Sequence, residues 1–273
     1  MAVTMADISK LRTMTGAGMM DCKNALNEAE GNFDKAIEII RKKGQAIAAK
    51  RSDRQASEGC VLAASNGEFA AVVAIKCETD FVAQNADFIA LTQSILDAAM
   101  ANKIADKEAL LALDIDGRSI ADLITDRSGI TGEKMELGFY EVVNGAATVA
   151  YIHPGNKLAT VVAFNEALDA QVAREVAMQV AAMNPIAVKR DEVPANIIAT
   201  ELEVGREKAR QEGKPEAMLD KIAEGRLNKF YKESTLLEQD FIKDAKVSVQ
   251  QYLKQVSASL TATAFKRVTL NEE

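Results

Sequence analysis

Apolar residues recur at helical spacing over the first part of the chain. Residues 4–43 divide into three such stretches, TMADISKLRTMT, GMMDCKNALNEAEG and NFDKAIEIIRKKG. In the third stretch the apolar residues between Phe33 and Ile40 share one face, and Gly44 follows a basic last turn, which is typical of a helix end. The pattern predicts a three-helix domain whose last helix ends at Gly44, followed by the polar stretch QAIAAKRSDRQASEG, which is either a linker or a fraying helix.

Two later segments each combine two strand-like runs with a helical run. The first, GCVLAASNGEFAAVVAIKC, has an Asn-Gly pair at 66–67, a strong hairpin signal, and a predicted helix follows from about 79 to 100. The second, AATVAYIHPGNKLATVVAF, turns at the Pro-Gly pair 154–155 and leads to a helix ending at Met183. Both segments contain VVA and are followed by AAM, so we interpret them as an internal repeat of one hairpin-plus-helix unit.

The first copy carries an insertion after its second strand. The distance from VVA to AAM is 26 positions in the first copy and 20 in the second, and the six extra residues fall where CETDFVAQNADF stands. Insertions at such junctions usually carry function rather than core. Within this segment Thr79 is a good helix N-cap, and Asp80 suits the positive end of the helix dipole.

The position of Phe81 has two interpretations. Phe81, Phe88 and Ile95 are seven residues apart, so Phe81 could extend a core stripe of the helix. The adjacent row that begins at Val82 could equally supply that stripe, in which case Phe81 projects from the helix tip. Periodicity alone favours neither.

The character of the chain changes from Asp191. Two charged helical runs flank EGKP, and the second has only a narrow apolar stripe. This predicts a protruding helical hairpin, because such a stripe is too thin to cover a globular core. A helix at about 246–258 and an alternating strand, TATAFKRVTL, complete the pattern.

The predicted fold class is therefore α+β with several domains. The segments are 1–54, a three-helix domain with its linker; 55–144, a first core subdomain; 145–185 with 234–273, a second core subdomain; and 186–233, the helical hairpin.

Composition narrows the functions. The net charge is −7 without a Lys/Arg tract, aromatic residues make up 5% of the chain and Trp is absent, which disfavours nucleic acid as a direct partner. No apolar run is long enough to span a membrane, and the start lacks the features of a secretory signal. The odd number of cysteines, Cys22, Cys60 and Cys77, without a CxxC pair suits a reducing compartment. We expect a cytoplasmic protein without membrane contact, disulfides or zinc.

The segment TGAGMMDCKNAL resembles a phosphate loop only superficially. A dinucleotide motif needs a preceding strand and a third glycine, whereas a predicted helix precedes Gly16 and Gly18 here. We interpret the glycines as a tight turn between helices. Met19 and Met20 are adjacent, so we expect one to pack inward and the other to remain available to a protein partner.

No catalytic constellation stands out. His153, in YIHPGN, is the single histidine, and the chain has neither HExxH nor GxSxG. The bland interpretation of His153 is a solvated turn side chain. We predict no catalytic residues, no metal ligands and no cofactor.

Three segments together resemble the bacterial elongation factor Ts family. They are LRTMTGAGMMDCKNAL, CETDFVAQNADF and EGKPEAMLDKIAEGRLNKFYKESTLLEQDFIKD, which occur in that order over most of the chain. The resemblance implies a guanine-nucleotide exchange factor for the GTPase elongation factor Tu, without covalent chemistry of its own. It also implies an N-terminal domain similar to ubiquitin-associated domains, which docks on the GTPase through Met19 and Met20.

For the insertion, the resemblance implies a tip inserted between two helices beside the Mg²⁺ site of elongation factor Tu. Asp80 and Phe81 would form this tip, with Thr79 and Val82 on either side of them. Displacement of those helices would spoil the metal coordination, and GDP would leave sooner.

The resemblance implies further contacts through His153, Lys50, Thr131 and Gly132, and dimerisation through residues 186–233, although the hairpin would also suit a monomer. Two departures limit the comparison. GEKMELGF replaces a family segment that carries an arginine pair, and no additional C-terminal helix follows the last strand, so we expect a lower affinity for the GTPase.

Two rival functions remain open. A helical adaptor or holdase would bind exposed peptides regardless of nucleotide, and an acid/base enzyme would need a well-formed pocket and a substrate. Neither explains the insertion that carries TDF.

Overall fold

The structure is a computed structural model that describes residues 3–271. The N-terminal elements are α1 (Met5–Thr15), α2 (Met19–Glu28) and α3 (Phe33–Lys50). The next are β1 (Glu58–Ser65), β2 (Phe69–Cys77), α4 (Asp80–Ala83), α5 (Ala86–Asn102), α6 (Lys107–Ala112), β3 (Asp114–Ile115), β4 (Arg118–Ser119), α7 (Ile120–Thr131) and β5 (Glu136–Asn144). The last are β6 (Ala147–Ile152), β7 (Leu158–Phe164), α8 (Ala170–Met183), α9 (Ala195–Gln211), α10 (Leu219–Ser234), β8 (Asp240–Phe241), β9 (Asp244–Ser248), α11 (Val249–Val256) and β10 (Ala262–Thr269).

Helices and small sheets alternate along the chain, so the α+β class is confirmed. The sheets have the orders β1-β2-β5, β10-β7-β6, β3-β4 and β8-β9. Within residues 3–271, no helix has the length and apolarity needed to cross a membrane.

The chain divides into two compact units. The first contains the residues up to Leu62, Val73–Glu141 and the residues from Leu270 on. The second contains Ala63–Val72 and Val142–Thr269.

The three predicted N-terminal helices are confirmed, and they share a core in the first unit. Leu11 from α1, Cys22 and Leu26 from α2 and Ala36 from α3 are fully buried in it. The turn interpretation of the glycines is also confirmed, because Gly16 ends α1 with a φ of 69° and Gly18 is the N-cap of α2. This φ lies in the left-handed region that glycine adopts without strain.

The predicted end of the third helix is wrong. Helix α3 continues through Gly44 to Lys50, so of the two interpretations of the polar stretch the helical one is correct for its first residues. A Cβ on Gly129 of α7 would lie 2.1 Å from the Gly44 Cα. The glycine therefore serves a close crossing of α3 and α7 rather than a helix end.

The predicted helix over 79–100 exists as two helices. One turn, α4, ends at Ala83, and α5 begins at Ala86. Asn85 separates them, because its side chain accepts hydrogen bonds from the backbone N–H groups of Asp87 and Phe88, at 2.9 and 3.4 Å. Such a cap starts a new helix rather than continuing the old one.

In the second unit, α8 covers the sheet of β6, β7 and β10. Val162 of β7 stands opposite Val149 of β6 and Phe265 of β10. Val176 and Val180 of α8 belong to the same buried cluster as Val162. The second predicted hairpin and its helix ending at Met183 are thus confirmed.

Helices α9 and α10 pack closely along their length in the second unit. A Cβ on Gly205 would lie 3.0 Å from the Ala223 Cα. Arg190 lies near the open end of the pair, where it hydrogen bonds to the Glu238 carboxylate and lies over the Tyr231 ring at 4.9 Å. Both helical runs predicted around EGKP are therefore present.

Candidate partner-binding site

Phe81 is the outstanding surface feature of the first unit. Its side chain is 86% exposed, more than any other large apolar residue among those described. Phe88 and Ile95, its partners in the seven-residue row, are fully buried. Phe81 therefore does not extend the core stripe, and the projecting alternative is correct.

Helix α4 presents Phe81 on a single turn between two caps. Thr79 is its N-cap, since the Thr79 hydroxyl accepts a hydrogen bond from the Val82 N–H at 3.4 Å. Ala83 is buried and Val82 half-buried beneath the turn, whereas Asp80 is exposed beside Phe81. The turn therefore has one anchored face and one free face.

The base of this turn is held by Glu133, a residue that the sequence did not single out. Its Oε2 accepts hydrogen bonds from the Glu78 N–H at 3.1 Å and the Thr79 N–H at 3.0 Å. Its Oε1 accepts a hydrogen bond from the Thr79 hydroxyl at 2.6 Å. Glu133 lies 54 positions beyond Thr79, and no local periodicity connects residues so far apart.

Thr131 and Gly132 form the turn that delivers Glu133. Gly132 ends α7 with a φ of 75°, and its N–H donates to the Ser128 carbonyl at 2.9 Å. The Thr131 hydroxyl donates to the Arg127 carbonyl at 3.1 Å. Both residues are half-buried, so their polar groups mainly shape the chain at this point.

Met19 and Met20 are both exposed, by 40% and 64%. The prediction that one of them packs inward is therefore wrong. They occupy the first turn of α2, and the inward positions of that helix belong to Cys22, Ala25 and Leu26. The two methionines form an apolar corner at the end of the helix.

Lys50 is exposed at the last position of α3. The next residue, Arg51, donates from Nη1 to Glu78 Oε2 at 3.1 Å. The chain therefore brings Lys50 toward the segment that precedes the α4 turn.

His153 belongs to the second unit, in the turn between β6 and β7, and is exposed. Its Nδ1 lies 2.9 Å from the Tyr151 hydroxyl, and the two rings meet edge to face. The guanidinium of Arg174 lies 5.3 Å from the centre of the Tyr151 ring. The imidazole is oriented by these neighbours rather than free to rotate.

The three cysteines are all buried. Burial raises the pKa of Cys60 to about 11 and that of Cys77 to about 12. Both thiols therefore stay protonated at neutral pH. Among residues 3–271, no group of three or more His, Cys, Asp or Glu side chains is placed to hold a metal ion.

Comparison with known proteins identifies the family. Residues 78–272 match the family model described as elongation factor TS. Elongation factor Ts of Porphyromonas gingivalis is 64% identical over 274 residues, and that of Azobacteroides pseudotrichonymphae is 58% identical over 274 residues; each alignment covers both chains completely. The chain belongs to the elongation factor Ts family. Elongation factor Ts of Bacteroides fragilis is 49% identical over 330 aligned residues, again with both chains fully covered.

Membership in the elongation factor Ts family confirms the resemblance drawn from the three sequence segments. It places the protein in translation elongation, as an exchange factor in protein biosynthesis. The family match includes the α4 turn, Glu133 and His153, but it begins at residue 78. Met19, Met20 and Lys50 fall outside that match and inside the full-length alignments.

Proposed function

We propose that this protein binds elongation factor Tu in its GDP form and promotes release of the nucleotide. The α4 turn is the element that disturbs the Mg²⁺ and phosphate site of the GTPase. The carrying observation is Phe81, an almost fully exposed aromatic ring on an anchored turn. Full burial of such a side chain is worth about 1.5–3 kcal/mol, and this gain becomes available when the ring enters a partner.

Exchange requires that the factor prefer the nucleotide-free GTPase. The two ligands then weaken each other by the same factor, because linkage between binding sites is reciprocal. An acceleration of GDP release by about 10⁴-fold corresponds to a difference in binding free energy of roughly 5.5 kcal/mol. Mg²⁺ tolerates little departure from octahedral geometry. A small displacement of the GTPase helices by the Phe81 ring therefore suffices to weaken the binding of Mg²⁺ and, with it, the binding of GDP.

The remaining binding energy comes from contacts other than those of the α4 turn itself. Met19 and Met20 supply an adaptable apolar surface, which suits a protein partner. Lys50 contributes charge, and His153 contributes a polar contact from its oriented ring. Thr131 and Gly132 supply contacts beside the turn.

The α9–α10 pair is proposed as a homodimer contact. It exposes Val204 by 38%, and the turn that joins its helices exposes Met218 by 47%. Sedimentation of the full chain tests this role separately. The measured molar mass should fall from that of a dimer to that of a monomer when both residues are replaced by Asp.

The test of exchange is the release of fluorescent GDP from elongation factor Tu. The protein should accelerate release strongly, and the double variant Asp80→Ala/Phe81→Ala should lose most of the acceleration while its unfolding temperature stays unchanged. Val256→Ala, which removes a 48% exposed apolar side chain elsewhere, should behave as the unaltered protein. A holdase would bind unfolded peptides and leave GDP release unchanged, and that result would exclude the proposal.

A further inference from the structure

Glu133 and Glu78 link two distant segments in both directions. Glu133 accepts from the backbone of Glu78 and Thr79 and from the Thr79 hydroxyl. In return, Glu78 Oε1 accepts a hydrogen bond from the Lys134 N–H at 2.6 Å. Four hydrogen bonds thus join residues 78–79 to 133–134, and in each the acceptor is a glutamate side-chain oxygen.

The Glu133 side of this link is itself well fixed. Its carbonyl accepts a hydrogen bond from the Ser128 hydroxyl in the last turn of α7, and its N–H donates to the Thr131 hydroxyl at 3.3 Å. Glu133 is therefore held to the end of a helix of twelve residues. The α4 turn, by contrast, has only four residues, too few for a helix to be stable by itself.

The residue that Glu133 holds determines where the aromatic ring points. Thr79 is the N-cap, with φ −121° and ψ 155°, and Phe81 follows two residues later. A rotation at the cap would move the whole turn relative to β2. Displacements of about 1 Å at a functional contact can cost a hundredfold in rate.

We propose that Glu133 is a positioning residue for nucleotide exchange: it fixes the cap of α4 and so keeps Phe81 in the orientation that enters the partner. This inference rests on the proposed role of the α4 turn. In this role Glu133 acts through its hydrogen bonds to Thr79 and not as a contact of its own with the nucleotide or the metal.

The experiment measures fluorescent-GDP release from elongation factor Tu at increasing concentrations of the full chain. Glu133→Ala should lower the maximal release rate by about tenfold, with a smaller change in the half-saturating concentration. Glu133→Gln should stay within about threefold of the unaltered protein, because its amide oxygen accepts the two N–H groups and its NH₂ donates to the Thr79 hydroxyl. Glu136→Ala is the matched control, since Glu136 pairs with Lys76 and Lys134 and not with the turn.

A double-variant comparison separates positioning from a general structural role. In a Phe81→Ala background, Glu133→Ala should cause almost no further loss of maximal rate, because the ring that it positions is absent. If Glu133→Ala is poorly folded, Glu133→Asp replaces it; the shorter carboxylate cannot reach all three donors, and an intermediate rate is expected.

The outcomes distinguish this inference from the function on which it rests. If Phe81→Ala exchanges as fast as the unaltered protein, the role of the turn fails and the inference fails with it. If Phe81→Ala is slow while Glu133→Ala or Glu133→Asp keeps the full maximal rate, only the positioning role is overturned. Equal losses from Glu133→Ala with and without the Phe81 ring would also overturn it.

Discussion

Replacing Phe81 by smaller apolar residues should slow GDP release in proportion to the apolar surface removed. Phe81→Leu keeps a branched apolar side chain on the α4 turn, whereas Phe81→Ala removes the ring completely. Because the side chain is 86% exposed in the isolated protein, it makes few contacts that its removal could break. Folding stability should therefore change little, and the loss should appear in exchange.

The size of the effect follows from the area still to be buried. Full burial of a phenylalanine contributes about 1.5–3 kcal/mol, which corresponds to roughly 10- to 150-fold in a rate or an affinity. Phe81→Ala should fall within this range and Phe81→Leu should lose only a few-fold. An acceleration of about 10⁴-fold needs roughly 5.5 kcal/mol, so the ring supplies about half at most, and Phe81→Ala should retain some exchange.

The assay is stopped-flow release of fluorescent GDP, with the concentration of the factor varied. If the Phe81 ring makes its contacts only in the state in which GDP is displaced, its removal lowers the maximal rate. If it makes the same contacts before and after displacement, its removal changes only the half-saturating concentration. Phe139→Ala is the matched control, because Phe139 is a 43% exposed phenylalanine outside the proposed contacts. If Phe81→Ala binds more weakly but keeps an unchanged maximal rate, Phe81 does not displace the nucleotide and is only a binding contact.

Three further predictions concern the scaffold. Gly129→Ala should destabilise the fold by about 1–3 kcal/mol through the clash with α3, whereas Gly225→Ala, whose Cβ would meet nothing within 4 Å, should stabilise by about 1 kcal/mol; urea unfolding measures both. Hydrogen bonds from Lys243, Tyr252 and Gln171 lower the pKa of Glu175 from 4.5 to about 2. The contribution of Glu175 to the free energy of unfolding is therefore complete above pH 4.5 and is lost as the pH falls toward 2. Glu175→Gln should flatten that part of the stability–pH curve. Asn85→Ala should cost about 1 kcal/mol through the lost cap and should slow GDP release.

Local signals in the sequence were sufficient for most helices and strands and for the start of a helix after Thr79, but not for the break between α4 and α5. The Asn-Gly pair, the helical spacing of apolar residues and the capping preference of Thr79 are all properties of short windows, and the structure contains the elements that they predict. For Phe81 the sequence left two alternatives, a buried side chain in the core stripe or an exposed one at the helix tip. The choice between them depended on Asn85, which caps a new helix and thereby breaks the seven-residue row.

The errors and omissions concern residues whose role depends on distant partners. Gly44 has the local properties of a helix end, but Gly129, far along the chain, makes it a crossing point. Glu133 is one carboxylate among many in an acidic chain, and only the fold brings it to the Thr79 cap. The prediction that one methionine packs inward was wrong because the buried positions of α2 begin at Cys22, after Met19 and Met20.

The break between α4 and α5 explains how an aromatic residue with a core-like spacing becomes exposed. In a continuous helix, residues seven apart differ by only about 20° around the axis, so Phe81 would lie on the face of Phe88 and be buried with it. Asn85 has extended backbone angles, φ −66° and ψ 130°, and its side-chain oxygen also accepts a hydrogen bond from Arg127 at 3.1 Å. The break is therefore held from α7, the same helix that delivers Glu133. One helix thus supports both ends of the α4 turn, and this common support accounts for a four-residue helix that carries an exposed apolar ring.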